Sequence, residues 1–172
     1  MNKKAAFDMI VNIFRLLFVI VVFYSILFLA RAFIAQKVDI FDVESKLLAH
    51  RLMFSNEVSY TDKDIGRNYI GVIDLKKFNS DEIEESLLNS IYYGKINSEA
   101  SAKLTLKDLD DNIEYETFYN RELYDEKKVL VEAKLIGKGS AQSLDTNFYV
   151  LIKDDDKLKR GALKIEAILP NS

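Results

Sequence analysis

Residues 9–34 read MIVNIFRLLFVIVVFYSILFLARAFI, an apolar run that only Arg15 and Arg31 charge. A helix rises about 1.5 Å per residue, so this run would reach roughly 39 Å against a hydrocarbon core of about 30 Å. The chain is therefore expected to divide into a cytoplasmic leader (1–8), a transmembrane helix (9–35) and a soluble domain (36–172). Arg15 and Arg31 bracket the uncharged stretch from Leu16 to Ala30, a spacing that lets each guanidinium snorkel to an opposite interface. A charge inside a span can also mark an ion or proton path. Arg15 lies one turn from the expected boundary, where reaching a phosphate headgroup is the simpler role. Gly and Pro are absent from the span, and Ser25 is the small residue at its middle, so no small-xxx-small seam advertises close helix pairing.

Lys3, Lys4 and Arg15 precede the centre of the span, whereas Arg31 and Lys37 are followed by Asp39 and Asp42. The positive-inside bias then puts the amino terminus in the cytoplasm and the acidic carboxy-terminal domain outside it. Three readings of the segment stay open. It is a permanent signal anchor, or a secretory signal cleaved after Ala30-Arg31-Ala32, or a processed leader of the type IV prepilin kind. The apolar character that continues through Phe33 and Ile34 favours the anchor.

The anchor region holds Lys3, Lys4, Arg15, Arg31 and Asp8, which leaves 20 basic and 26 acidic residues, a net charge of −6, for the rest of the chain. An acidic surface without a basic stripe argues against nucleic acid as a partner, because such binding rests on neutralising phosphates. There is no cysteine, hence no disulfide, thiol catalysis or cysteine-held metal. Nor does any Asn-x-Ser/Thr acceptor occur. An extracytoplasmic domain lacking both devices fits a prokaryotic envelope.

From Asp39 to Phe54 apolar residues recur at helical spacing. Ile40, Val43, Leu47 and Phe54 form the expected buried stripe, flanked by Phe41, Leu48 and Leu52, with Asp39 or Asp42 as cap. So little chain separates this helix from the span that the two could form one rod. A second helix is expected after Asn79-Ser80-Asp81-Glu82, carrying Ile83, Leu87 and Ile91 on one face and stopping at Gly94. Strands are expected at Val58–Tyr60 and Tyr69–Leu75, at Ala102–Leu106 and Ile113–Tyr119 about a turn at Asp108–Asp111, and at Val129–Leu135. Phe148–Ile152 and Leu163–Leu169 should form a hairpin about the loop Asp154–Gly161, and Gly137–Ser143 a further hairpin loop. The fold class is α+β: an N-terminal transmembrane helix running into an amphipathic helix, then an antiparallel sheet with a second helix packed on it.

This plan is similar to that of uncharacterised single-span archaeal envelope proteins, whose span leads through a helix to a strand-rich head ending in a hairpin like Tyr149-Val150-Leu151-Ile152…Gly161-Ala162-Leu163-Lys164-Ile165. Over roughly its first 54 residues it also resembles type IV pilins in plan. It departs from them in the leader Asn2–Asp8, which lacks a glycine before a processing point and places Asp8 out of register with the usual glutamate. The resemblance implies a surface role and no particular activity.

Candidate chemistry is sparse. His50, the one histidine, falls on the Val43, Leu47, Phe54 stripe, where it is better read as a packing residue than as a base, because no serine or metal partner is flagged. Asp62-Lys63-Asp64-Ile65-Gly66 opens like a calcium loop, but its glycine is fifth and Arg67 sixth, so a polar turn explains it better. Asp154–Asp156 is followed by Lys157, Lys159 and Arg160 and reads as a self-neutralising loop. Tyr60, Tyr69, Tyr92, Tyr93, Tyr115, Tyr119, Tyr124 and Tyr149 suit sheet packing, or else a partner surface. No catalytic, cofactor-binding or metal residue is assigned, and no cofactor is expected. The partners expected are the lipid bilayer and other membrane or envelope proteins, including a second copy of the chain. The expected function is a membrane-anchored structural or interaction protein of a cell-envelope or pilus-like assembly; the alternative is a tethered module that binds a ligand or ion through its acidic loops.

Overall fold

A computed structural model describes residues 3–35, 40–62, 64–91, 99–134 and 139–170. It resolves into two compact units, Met1–Ile40 and Phe41–Ser172. The first is the single helix α1 (Lys3–Ala35), within which Asn12–Arg31 is long and apolar enough to cross a membrane. Every side chain of that stretch is exposed, so no protein core in this unit shelters it.

In the second unit the elements run α2 (Ile40–Met53), β1 (Ser59–Asp62), β2 (Arg67–Asp74), α3 (Leu75–Phe78), α4 (Ile83–Ser90), β3 (Ser101–Asp108), β4 (Glu114–Tyr119), α5 (Arg121–Glu132), β5 (Ala141–Asp154) and β6 (Lys157–Pro170). The strands form one sheet in the order β1-β2-β5-β6-β3-β4. The α+β class holds. The sheet is mixed rather than antiparallel, because β2 joins β5 in parallel through Val72, Ile73 and Asp74 against Leu151, Ile152 and Lys153. A parallel neighbour needs a long crossover, and the chain supplies one through α3, α4, β3, β4 and α5.

The alternation read in β3 is realised, with Ala102, Leu104 and Leu106 fully buried, whereas in β4 Thr117 and Tyr119 are buried but Ile113 lies outside the strand and is exposed, and Phe118 is buried on the opposite face. The carboxy-terminal hairpin is longer than expected. Its turn is Asp155-Asp156 alone, Asp155 taking φ +51°, so Lys157–Gly161 is strand rather than loop, as is Ala141–Ser143. Residues 137 and 138 of the expected glycine-rich loop lie outside the described residues, as do Gly94 and the 36–39 connection proposed to join span and helix. Helix α4 carries Ile83, Leu87 and Ile91 on its buried side, as their spacing requires, and ends at Ser90.

Three expectations are corrected. Residues 129–134 are not strand, because Arg121–Glu132 is helix α5, and Leu135 lies outside the described residues; Asn120, in the left-handed region at φ +59°, turns the chain out of β4 directly into the helix. The period-two pattern there is incidental. Val129 is 64 % exposed while Tyr124 is buried, with Leu130 and Val131 packed beside it, a helical periodicity. Helices cover both faces of the sheet, where one packed helix is expected. Leu163, Ile165, Ala167 and Leu169 of β6 point into the main core with α2, α3 and α4, whereas Ile168 belongs to a second cluster with Phe118, Ala141 and Tyr124 of α5 on the opposite face. Finally, α2 buries Ser45, Leu48, Ala49, Leu52 and Met53, with Phe41 packed alongside; the stripe expected to be buried is exposed, Val43 at 59 %, Leu47 at 44 % and Phe54 at 45 %. Burying each large aliphatic of the inner face contributes about 1.5–3 kcal/mol, and that face contains no ionisable side chain to desolvate.

Candidate functional surfaces

His50 stands on the exposed side of α2. Its ring stacks on Phe54 at 5.6 Å and meets the edge of Phe148 at 5.3 Å. Beside it lies a groove of about 740 Å³ lined by Leu47, Arg51, Phe54, Asn56, Glu57 and Ile91, among others. Two serines border the groove. Ser55 Oγ donates to the Leu52 carbonyl at 3.0 Å and Ser90 Oγ to the Leu87 carbonyl at 3.3 Å, so each hydroxyl serves its own helix end rather than the imidazole. The groove thus combines an aromatic-held imidazole with apolar walls, an arrangement suited to packing.

The acidic loops are occupied by the protein's own cations. Lys159 Nζ lies 2.8 Å from Asp111, 3.0 Å from Asp154 and 3.4 Å from the buried Asp108. Asp108 Oδ1 also accepts from the backbone N–H groups of Asp110 at 2.9 Å and Asp111 at 3.0 Å, which shapes the β3–β4 turn. Burial pushes the Asp108 carboxyl up, but those two N–H groups and the Lys159 ammonium outweigh it and hold the pKa below the usual carboxylate value. Arg160 grips Asp110 through its backbone N–H at 2.9 Å and its guanidinium at 2.6 and 3.0 Å, lowering that carboxyl too. Asp155 pairs with Lys76 of α3. The neutralisation expected within Asp154–Arg160 is therefore spread over α3 and the β3–β4 turn. In the other acidic turn Asp62 Oδ1 accepts from the Asp64 N–H at 3.0 Å and Gly66 takes φ +63°, a polar turn. Among the described residues no group of three or more acidic or histidine side chains is disposed to hold a metal ion.

The tyrosines divide. Tyr119 is fully buried and donates to the Ile91 carbonyl at 3.4 Å, and Tyr124 donates to Glu166 at 2.9 Å beside the Lys128–Glu166 ion pair. Tyr60 and Tyr69 face each other across β1 and β2 at 6.0 Å. Tyr92 and Tyr93 lie outside the described residues. Tyr149 is 91 % exposed and sits with Leu109 and Leu151 around a shallow hollow beside Gly71.

Sequence reasoning missed the edge of β5. Residues 141–150 pair with β6 on one side, and among the described residues no strand pairs with their other side, since β2 meets β5 only at 151–153. Gly71, at φ +83°, falls where β2 leaves that pairing. The open stretch AQSLDTNFYV holds one charge, Asp145, which is paired with Lys164 at 2.9 Å, and none of the Lys or Pro residues that commonly guard an edge. The run of uncharged residues is visible in sequence, but the place of β5 in the sheet is not. Comparison with protein-family models, curated proteins and solved structures finds no match.

Proposed function

We propose that this chain is a single-pass membrane-anchored structural or interaction protein, a subunit or accessory of a cell-envelope or pilus-like assembly. The amino terminus lies in the cytoplasm and the α+β domain outside it, following the bias of Lys3, Lys4 and Arg15. The observation that carries the reading is the apolar helix Asn12–Arg31, exposed along its whole length, which in water would be an untenable surface and in lipid is an anchor. The weakly guarded edge of β5 supports the assembly part, because unpaired N–H and C=O groups invite a further strand. The resemblance in plan to single-span archaeal envelope proteins and pilins agrees with it.

Intact mass and chemical cross-linking of the protein in its native membranes test this reading. A full-length mass with a cross-linked ladder that Asn147→Lys weakens is the expected result, since a lysine on the open edge opposes strand addition. A monomer under all conditions removes the assembly, and loss of the first 32 residues removes the permanent anchor.

A further inference from the structure

Helix α2 has two apolar faces, and the core uses only one. The other carries Val43, Leu47, His50 and Phe54 at helical spacing, all exposed, with the exposed basic residues Lys46 and Arg51 on the same side. No carboxylate falls within that stripe. Asp42 and Glu44 are half-buried on its flanks, where Asp42 takes Lys46 at 2.7 Å, and Glu57 follows beyond its far end.

We propose that this face of α2 lies on the membrane surface, with Val43, Leu47 and Phe54 in the interfacial region and Lys46 and Arg51 reaching lipid phosphates. The inference rests on the membrane-anchored reading above and adds what the domain does at the bilayer. Two observations select lipid as the occupant. Four residues separate Ala35 from Ile40, so even a fully extended connection keeps the start of α2 within about 18 Å of the end of the apolar helix. On the anchored reading, the tether limits how far the first turn of α2 can stand from the bilayer. The charge pattern points the same way. An apolar stripe edged by long basic side chains is the composition of an interfacial helix, whose stems lie along the acyl boundary while their heads meet phosphate. A second copy docked face to face would instead bring the Lys46 and Arg51 cations of both copies into one interface.

The chain contains no tryptophan, so single-tryptophan variants of the full-length protein report one site each. Leu47→Trp and Phe54→Trp probe the α2 face, Tyr149→Trp the opposite face of the sheet and Phe18→Trp the span. Each is reconstituted in phosphatidylcholine nanodiscs with and without lipids brominated in the acyl chain. Docking predicts blue-shifted emission and loss of intensity to bromine at positions 47 and 54, little of either at 149, and strong loss at 18. Quenching at 18 with positions 47 and 54 no more affected than 149 overturns docking but leaves the anchor standing. Blue-shifted but unquenched emission at 47 and 54 means protein covers the face and also overturns it. No quenching at 18 removes the anchored reading, and docking with it.

Discussion

Gly161 lies in the middle of β6, opposite Val150 of β5 on one side and Asp108 of β3 on the other. A Cβ there would fall 2.7 Å from both Cγ1 and Cδ1 of Ile152 and 3.3 Å from the Lys107 carbonyl oxygen. Ile152 is fully buried, so its side chain cannot swing into solvent to make room. Gly161→Ala is therefore expected to behave as an overpacked core, costing about 1–3 kcal/mol, less the roughly 0.4–1 kcal/mol that alanine returns by restricting the unfolded chain. In a domain of this size about 1 kcal/mol moves Tm by roughly 3 °C, so the midpoint should drop by a few degrees. Ile152→Ala alone costs about 2–5 kcal/mol because it leaves a cavity. In that background the added methyl enters the vacated space, and the effect of Gly161→Ala should vanish or change sign. Thermal unfolding of the full-length protein in detergent, followed by near-ultraviolet circular dichroism from buried Tyr119 and Tyr124, gives all four corners of the cycle. An equal cost of Gly161→Ala in both backgrounds would refute the argument, since the clash with Ile152 is its stated cause.

Two further perturbations probe the buried polar groups. Asp108→Asn keeps an acceptor for the Asp110 and Asp111 N–H groups but deletes the charge facing Lys159. The native carboxyls of Asp108 and Asp110 sit below the ordinary value of 3.8, so the stability they contribute is complete above about pH 4 and is lost as the pH falls through their folded values. Asp108→Asn should be less stable at neutral pH and show a shallower decline below about pH 4 than the parent; an unchanged acid limb in a pH series of urea titrations counts against the clamp. Tyr124→Phe removes the 2.9 Å bond to Glu166, which Lys128 continues to hold, and should cost about 1–2 kcal/mol. Burial, then the bond to Glu166, raises that phenol's pKa, so the loss should be the same from pH 6 to pH 9, and a strongly pH-dependent loss would point to another cause.

What the sequence discloses here depends on how far each determinant reaches along the chain. The β3–β4 hairpin is legible because Ala102, Leu104 and Leu106 of β3 face the core in alternation with half-buried residues, so the pattern is written into consecutive residues. The carboxy-terminal hairpin is legible for the same reason, but its length is hidden. The charged run Lys157–Arg160 looks like a loop until Asp110, Asp111 and Asp154 are seen to hold its cations, contacts that span up to 50 residues. Gly161 likewise reads as a turn residue, whereas it is a strand residue whose missing Cβ makes room for Ile152. In α5 a short alternation of Val129, Val131 and Ala133 competes with a helical spacing centred on Tyr124. The apolar surfaces of Phe118, Ile168 and Ala141, which Tyr124 covers, decide between them, and no local signal contains those residues.

Helix α2 buries a different stripe from the one its apolar periodicity first marks, although that periodicity is real. Two sets of positions satisfy helical spacing, 40, 43, 47 and 54 against 41, 45, 48, 49, 52 and 53. Counting apolar residues does not separate them, but the charges do. Lys46 and Arg51 share a face with Val43, Leu47 and Phe54, while the second set includes no ionisable residue. Desolvating two cations costs far more than exposing three apolar side chains, so the core takes the uncharged face even though it includes Ser45 and Ala49. The face left outside the core is apolar surface edged by the basic side chains Lys46 and Arg51. On the membrane-anchored reading proposed above, a lipid headgroup region suits both features of that face, and the four residues between Ala35 and Ile40 keep the start of α2 within its reach.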